Sequence, residues 1–186
     1  MDDRVKKTHR YGEEPDYVYG AANGRTTDEN VRLAVDKYSM TDCHIGLDEK
    51  DSPWIPIMEG VKIKHLAFDV RRGAFSNIVW VQKGGGTIGR HRHRGTVDGF
   101  CMEGSWKYLE YDWVATAGSY VHETPGAIHT LYSENGMKTY FSMVGPLEFF
   151  DDDDNIIGVH DVFYHINGYT TYCRENGIPI NELLFQ

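Results

Sequence analysis

Apolar and polar residues alternate in short runs over most of the chain after residue 60. The runs at residues 61–68 and 76–82 alternate with a period of two, which is typical of β-strands that bury one face. Similar runs continue to about residue 165, with Gly- or Pro-containing turn signals at intervals of roughly 8–12 residues. This pattern predicts an all-β sandwich or barrel rather than a helical bundle.

Turn residues divide the pattern into further elements. We expect one hairpin of residues 97–102 and 105–113 around Glu103 and Gly104, and a second of residues 147–150 and 156–165 around the acidic run 151–154. A capped short helix is predicted after Thr26, and a final helix over 168–176. The expected organisation is an N-terminal extension with a short helix (1–50), a barrel (51–166) and a C-terminal helical tail (167–186).

The amino-acid composition argues against several classes of function. The 186 residues carry 28 acidic and 19 basic side chains, for a net charge of −9, so we expect neither a nucleic acid nor an anionic membrane as partner. No apolar run is long enough to predict a membrane span, and no secretory signal pattern opens the chain. The three cysteines fit no metal-ligand spacing and favour a reduced, cytoplasmic location.

The stretch from Gly85 to His93 carries the clearest chemical signal. His91 and His93 are separated by one residue in an alternating strand, so their side chains point to the same face. His129 follows the turn at Pro125 and Gly126, and can reach the same point from a neighbouring strand. Three neutral imidazoles make a site for a divalent transition metal with open positions for chemistry. A polar surface strand with incidental histidines is the alternative.

These residues resemble the two sequence motifs of the cupins, which are small β-barrels. In the first motif, Gly-x5-His-x-His-x(3–4)-Glu-x6-Gly, the matching residues are Gly85, His91, His93 and Gly104. In the second, Gly-x5-Pro-x-Gly-x2-His-x3-Asn, they are Gly118, Gly126 and His129. The resemblance covers roughly residues 54–165 and implies a single cupin barrel (a double-stranded β-helix, or jelly roll) with an N-terminal extension and short flanking helices.

The chain departs from the first motif at its glutamate. Val97 stands at that position, with Asp98 one residue further on. The metal is therefore expected to be held either by the three histidines alone or by the histidines and a carboxylate from elsewhere. Asp98 is one candidate for a ligand. Glu110 is the other, as a fourth ligand or a catalytic group that orients a histidine, if it shares an inward face with Trp106 and Tyr108.

The runs around the histidines are similar to the 2,4′-dihydroxyacetophenone dioxygenases and, more distantly, to the acetylacetone-cleaving dioxygenases. The resemblance implies non-haem Fe(II), O2 and a ketone substrate, with cleavage of a C–C bond beside the carbonyl of an aryl hydroxyketone to give a carboxylate and formate. Other first-row divalent metals also suit imidazole.

An aryl ketone requires an apolar pocket, for which the candidate lining residues are Phe100, Trp106, Tyr108, Tyr140 and Phe141. Two other functions stay open: a Zn, Mn or Ni cupin acting as an isomerase or hydrolase, and a cupin that senses a metal or ligand without catalysis. A homodimer is expected, because small barrels with apolar outer strands commonly pair.

Overall fold

The structure is a computed structural model that describes residues 42–48 and 50–186. The chain divides into two compact units, Met1–His44 and Ile45–Gln186, and the second contains the barrel. The helix predicted after Thr26 and most of the expected extension lie outside the described residues. No helix among the described residues is long and apolar enough to cross a membrane.

Within the described residues the second unit has eleven strands, one α-helix and one short 3-10 helix. The strands are β1 (Ile55–Met58), β2 (Val61–Asp69), β3 (Ala74–Val81), β4 (Gly86–His93), β5 (Val97–Tyr108), β6 (Ala115–Thr116), β7 (Tyr120–Glu123), β8 (Ile128–Ser133), β9 (Met137–Val144), β10 (Leu147–Phe150) and β11 (Ile156–His160). The helix α1 spans Val162–Glu175, and the 3-10 helix spans Glu182–Leu184.

The strands form one curled antiparallel sheet in the order β1-β2-β3-β9-β5-β8-β4-β10-β11, with β6 and β7 also pairing with β5. Alternate residues of these strands face inward, and the apolar ones form the core. Phe68, Trp106 and Tyr169 are almost completely buried within it. Full burial of a large apolar side chain stabilises a fold by about 1.5–3 kcal/mol. The prediction of an all-β barrel is confirmed.

The hairpin expected around Glu103 and Gly104 is wrong, because residues 97–108 form a single long strand, β5. Its register shifts between Cys101 and Glu103, and Gly104 has a φ of +73°, which any side chain would strain. A Cβ at Gly104 would also lie 2.0 Å from the Gly136 carbonyl oxygen. Glycine therefore bends β5 instead of reversing it. The first half of β5 pairs with β7 and β9, and the second half with β6 and β8.

The second expected hairpin is confirmed, since β10 and β11 pair antiparallel. Its second strand is shorter than predicted, however, because it ends at His160 and α1 begins at Val162. The side chain of Asp161 caps the helix by accepting a hydrogen bond from the Tyr164 amide, with an N–O distance of 2.8 Å. This earlier start places His165 in the first turns of the helix rather than on a strand.

Candidate metal centre

Strand β4 presents its histidines to the interior and its arginines to the other face. His91 and His93 are buried. On the opposite face Arg92 forms an ion pair with Glu148, with 2.6 Å between Nε and Oε2, and Arg90 pairs with Asp154. Because side chains alternate along a strand, the two imidazoles are directed into the barrel while the arginines lie on the other face.

His129 reaches the same point from strand β8. It lies directly opposite His91 in the antiparallel pairing of β4 and β8, and it is also buried. One ligand nitrogen from each of His91, His93 and His129 can be chosen so that all three lie within 4.8 Å of one another. Cross-strand pairing and alternation thus bring the three predicted histidines together into one cluster.

Two neighbouring groups orient these rings. The Nδ1 atom of His91 lies 2.7 Å from the carbonyl oxygen of Gly89, to which it donates, so Nε2 keeps a free lone pair. The ring of Tyr108 stacks on His129 with 3.7 Å between centroids and 8° between planes. These contacts hold two of the three imidazoles in a fixed orientation.

Glu123 is the acidic residue that the sequence interpretation did not identify. It ends strand β7, directly opposite Val97 of β5, and is buried. Its Oε2 atom lies 3.4 Å from Nε2 of His93 and 3.4 Å from Nε2 of His129. The hydroxyl of Tyr108 donates a hydrogen bond to its Oε1 atom. A carboxylate thus lies beside the histidines although Val97 stands at the motif position, because the residue paired with Val97 on the adjacent strand is Glu123.

The charge state of this cluster suits a cation. Burial lowers the pKa of His91 to about 4 and the pKa of His93 to about 3, so both rings are neutral at pH 7. Burial acts to raise the pKa of Glu123, but its interactions with His129, His93 and Tyr108 outweigh burial, and the pKa lies below its ordinary value. The result is a buried carboxylate beside neutral nitrogen donors.

The unpaired polar atoms at this site match what a metal ion requires. Oε2 of Glu123 and both ring nitrogens of His129 are buried and have no hydrogen-bond partner among the described residues. Buried polar atoms without partners are costly, and a divalent metal uses such lone pairs as its ligands. The three-histidine site therefore suggests a divalent metal, and the residues present fit one.

Comparison with known proteins agrees with this fold and site. The sequence pattern of the ChrR cupin-like domain family matches residues 43–148, more than half of the chain. The chain belongs to this cupin family. An RmlC-like cupin from Ralstonia eutropha JMP134 is 36% identical, with a TM-score of 0.69 over 75% of this chain and 94% of that chain. No curated protein matches this cupin closely enough to serve as a relative.

More distant solved structures share the fold of this cupin. An acetylacetone dioxygenase from Acinetobacter johnsonii is 19% identical, with a TM-score of 0.66 over 73% of this chain and 95% of that chain. A second cupin-like protein from Ralstonia eutropha JMP134 is 25% identical, with a TM-score of 0.65 over 75% of this chain and 90% of that chain. The cupin assignment predicted from the two histidine motifs is confirmed, and the fold is shared with a known dioxygenase.

The two carboxylates predicted from the sequence are not part of the histidine cluster in this cupin. Asp98 lies on the outer face of β5, where its Oδ1 atom accepts a hydrogen bond from the hydroxyl of Tyr120 at 2.6 Å and lies 2.9 Å from Nδ1 of His122. Glu110 is exposed and accepts a hydrogen bond of 2.8 Å from the Thr130 amide. Because β5 ends at Tyr108, the inward alternation does not continue to Glu110.

A cavity of about 90 Å³ lies against the histidine cluster. Of the five predicted pocket residues, Tyr108 and Phe141 line it. Trp106 is buried behind them, with its ring centroid 5.7 Å from that of Phe141. Phe100 and Tyr140 alternate to the outer face of their strands, where Phe100 is 47% exposed. The remaining lining is mostly apolar and includes Leu147 and Phe149.

Two further histidines, the buried His65 and the half-buried His165, contact each other with 5.4 Å between ring centroids. Burial is the main cause that lowers the pKa of His65 to about 3 and of His165 to about 4. At a pH between these lowered pKa values and the ordinary histidine pKa of 6.5, the unfolded chain binds more protons at these rings than the folded protein does. The stability contributed by the neutral rings is therefore complete above pH 6.5 and is lost as the pH falls.

As the pH is lowered from 6.5 to 5, we expect the free energy of unfolding of this cupin to fall by about 1.4 kcal/mol per pH unit because of His65. The reason is that His65 takes up a proton in the unfolded chain but not in the folded protein. Urea unfolding at closely spaced pH values measures this slope. His65→Leu removes the titrating group, so its slope should be smaller by that amount. Asn167→Leu, at an exposed position that does not titrate, is the control and should retain the wild-type slope. Equal slopes in wild type and His65→Leu would contradict the prediction.

Proposed function

We propose that this protein is a non-haem Fe(II)-dependent dioxygenase that cleaves the C–C bond beside the carbonyl of an aryl hydroxyketone. The observation that carries the proposal is the buried cluster of His91, His93 and His129 beside an apolar, partly aromatic cavity. The resemblance of the sequence around these histidines to the 2,4′-dihydroxyacetophenone dioxygenases supports the same reaction. With one O2, the bond between the carbonyl and hydroxymethyl carbons breaks, and each carbon gains one oxygen atom, giving a carboxylate and formate.

The proposed ligand set is the three imidazoles. Bound there, Fe(II) would supply Lewis acidity toward the adjacent hydroxyl and carbonyl oxygens of the substrate and an electron source for O2. The protein holds these ligands ready, because the Gly89 carbonyl fixes the tautomer of His91 and Tyr108 fixes the plane of His129. Glu123 places a negative charge beside His93 and His129, which favours a cation at their Nε2 atoms.

The carboxylate role assigned to Glu110 from the sequence stays a prediction, as does that of Asp98. The geometry favours Glu123, whose Oε2 atom lies within 3.4 Å of two of the proposed ligand nitrogens. Apolar groups such as Phe141, Leu147 and Phe149 exclude water from the reacting end of the substrate. The cavity of about 90 Å³ and its mostly apolar lining favour a small, largely apolar substrate.

The proposal is tested by loading the metal-free protein with Fe(II) under anaerobic conditions and measuring O2 uptake with aryl hydroxyketones and β-diketones. We expect uptake that requires both iron and ketone, with carboxylate and formate formed in equal amounts. A preparation that binds iron stoichiometrically and consumes no O2 with any of these ketones would contradict it. In that case, the protein loaded with Zn, Mn or Ni is tested for turnover without O2. Turnover would favour an isomerase or hydrolase, and no turnover would favour a cupin that senses a metal or ligand.

The partners proposed for this reaction are the ketone and O2, and the protein is proposed to act as a homodimer. Light scattering on the full chain measures the oligomeric state directly. A mass of twice 21.3 kDa is the expected result.

A further inference from the structure

A second concavity lies on the outer face of the sheet, away from the metal centre. Ile63 of β2 and Val79 of β3 line the cavity beside the histidines. Their neighbours along the chain, Lys62 and Trp80, line a separate groove of about 240 Å³. Because successive side chains of a strand point to opposite faces, the cavity and the groove lie on opposite faces of the same two strands. The groove is therefore distinct from the metal centre.

Strand pairing places a tryptophan between two lysines in this groove. Lys62 lies directly opposite Trp80 in the pairing of β2 and β3, and Trp80 lies directly opposite Lys138 in the pairing of β3 and β9. Side chains directly opposite each other in an antiparallel pair are close neighbours on one face of the sheet. The Nζ atom of Lys62 lies 5.4 Å from the centroid of the Trp80 ring. One indole is thus flanked by a lysine on each side.

The other wall of the groove comes from the segment that precedes β1, which contributes Trp54 and Leu47. The Nζ atom of Lys64 lies 5.9 Å from the centroid of the Trp54 ring. The same ammonium group donates hydrogen bonds to the carbonyl oxygens of Asp48, at 2.9 Å, and of Ser52. Since Lys64 is buried on β2, these bonds hold the segment against that strand. The aromatic wall of the groove is therefore preformed.

The charges at the groove favour an anion. Lys62 is exposed and forms no ion pair with any described residue. Lys138 pairs with Glu103, with 3.0 Å between Nζ and each carboxylate oxygen, but the Glu103 side chain is 62% exposed. Exposed ion pairs are weak, so a ligand can share this ammonium group. Since no acidic side chain lines the groove among the described residues, it has a local excess of positive charge in a chain of net charge −9.

We propose that this groove binds a small aromatic carboxylate. The ring of the ligand packs against the indoles of Trp54 and Trp80, and its carboxylate accepts charge-assisted hydrogen bonds from Lys62 and Lys138. The described lining includes no arginine and no helix N-terminus, which are common at phosphate sites, so a carboxylate is favoured over a phosphate. The volume of about 240 Å³ favours a small ligand. Binding at this groove requires neither the metal nor the reaction proposed above.

The first test locates the ligand by nuclear magnetic resonance of the isotope-labelled, metal-free, full-length protein. The chain has four tryptophans, and replacing each with phenylalanine assigns its indole N–H resonance. Benzoate is expected to shift the resonances of Trp54 and Trp80 and to leave those of Trp106 and Trp113 unchanged. The last two contact each other away from the groove, with 5.6 Å between ring centroids. Unchanged resonances of Trp54 and Trp80 at high benzoate concentration would overturn the proposal, whether or not the other two shift.

The second test uses the same titration to measure affinity. Benzamide lacks the negative charge of benzoate and cyclohexanecarboxylate lacks its aromatic ring, so each should bind at least about tenfold more weakly. Lys62→Met and Lys138→Met should each weaken benzoate binding at least about fivefold. Arg71→Met removes an exposed positive charge between β2 and β3, outside the groove, and as the matched control should bind benzoate as the wild type does. Equal binding of benzoate and benzamide, or wild-type affinity in both lysine variants, would overturn the proposal.

Discussion

Replacing His129 with alanine is expected to weaken Fe(II) binding by more than about 100-fold and to abolish O2 uptake with any ketone. His129 is one of three imidazoles in the cluster, and its two ring nitrogens have no partner among the described residues. Loss of a group that only orients a ligand costs 10–100-fold in affinity, so loss of a ligand itself exceeds that range. Competition with a chromophoric chelator measures the affinity, and an oxygen electrode measures uptake.

The matched control for this variant is His122→Ala. His122 is exposed on strand β7, where its Nδ1 atom lies 2.9 Å from Asp98, outside the cluster. It should bind iron as tightly as the wild type, and its uptake should be unchanged. Wild-type affinity in His129→Ala, with the fold intact, would show that the metal is bound elsewhere.

Replacing Glu123 with glutamine is expected to weaken Fe(II) binding by about 10–100-fold without unfolding the protein. Glutamine has the same shape and still accepts the hydrogen bond from Tyr108, but it removes the negative charge near Nε2 of His93 and His129. Groups next to metal ligands change affinity by this amount when they are replaced. The same chelator competition measures the change, and thermal unfolding of the metal-free protein confirms that the fold is retained.

Glu110→Gln separates the two candidate carboxylates. Glu110 is exposed and bonded to the Thr130 amide, so its replacement should alter metal affinity less than twofold. If Glu110→Gln weakened binding tenfold and Glu123→Gln had no effect, the assignment from sequence would be correct and the structural interpretation wrong.

The fold and the histidine cluster could be predicted from the sequence because both depend on local patterns. Alternation placed His91 and His93 on one face of a strand, and the Pro-Gly turn placed His129 near the start of another. Spacing within one strand fixes which side chains share a face. The cupin motifs were recognisable for the same reason, since they record these local spacings.

Glu123 could not be identified in this way, because its position depends on a pairing between strands. It stands opposite Val97 only because β7 pairs with the first half of β5, and no spacing within either strand reveals that partner. The one local signal was the alternation of β7, which places Glu123 on the face opposite His122. The sequence pattern suggested an inward-facing Glu110 because the predicted strand continued to residue 113. In the structure β5 ends at Tyr108, and Glu110 is exposed.

The error at Glu103 and Gly104 has a different physical origin. A glycine with positive φ serves a tight turn or a bulge equally well, and the sequence does not distinguish them. Long-range pairing decides for the bulge, because β5 pairs with β9 up to Gly104 and with β6 and β8 beyond it. Likewise, Asp161 caps α1 and so determines where the helix begins. His165, in the first turns of this helix, lines the cavity.

Anomalous diffraction at the iron edge, from crystals of the protein loaded anaerobically with Fe(II), tests the central claim most directly. We predict one strong peak per chain, about 2.0–2.2 Å from a ring nitrogen of each of His91, His93 and His129, as for imidazole ligands of first-row metals. Iron bound stoichiometrically but located away from these three nitrogens would contradict the account.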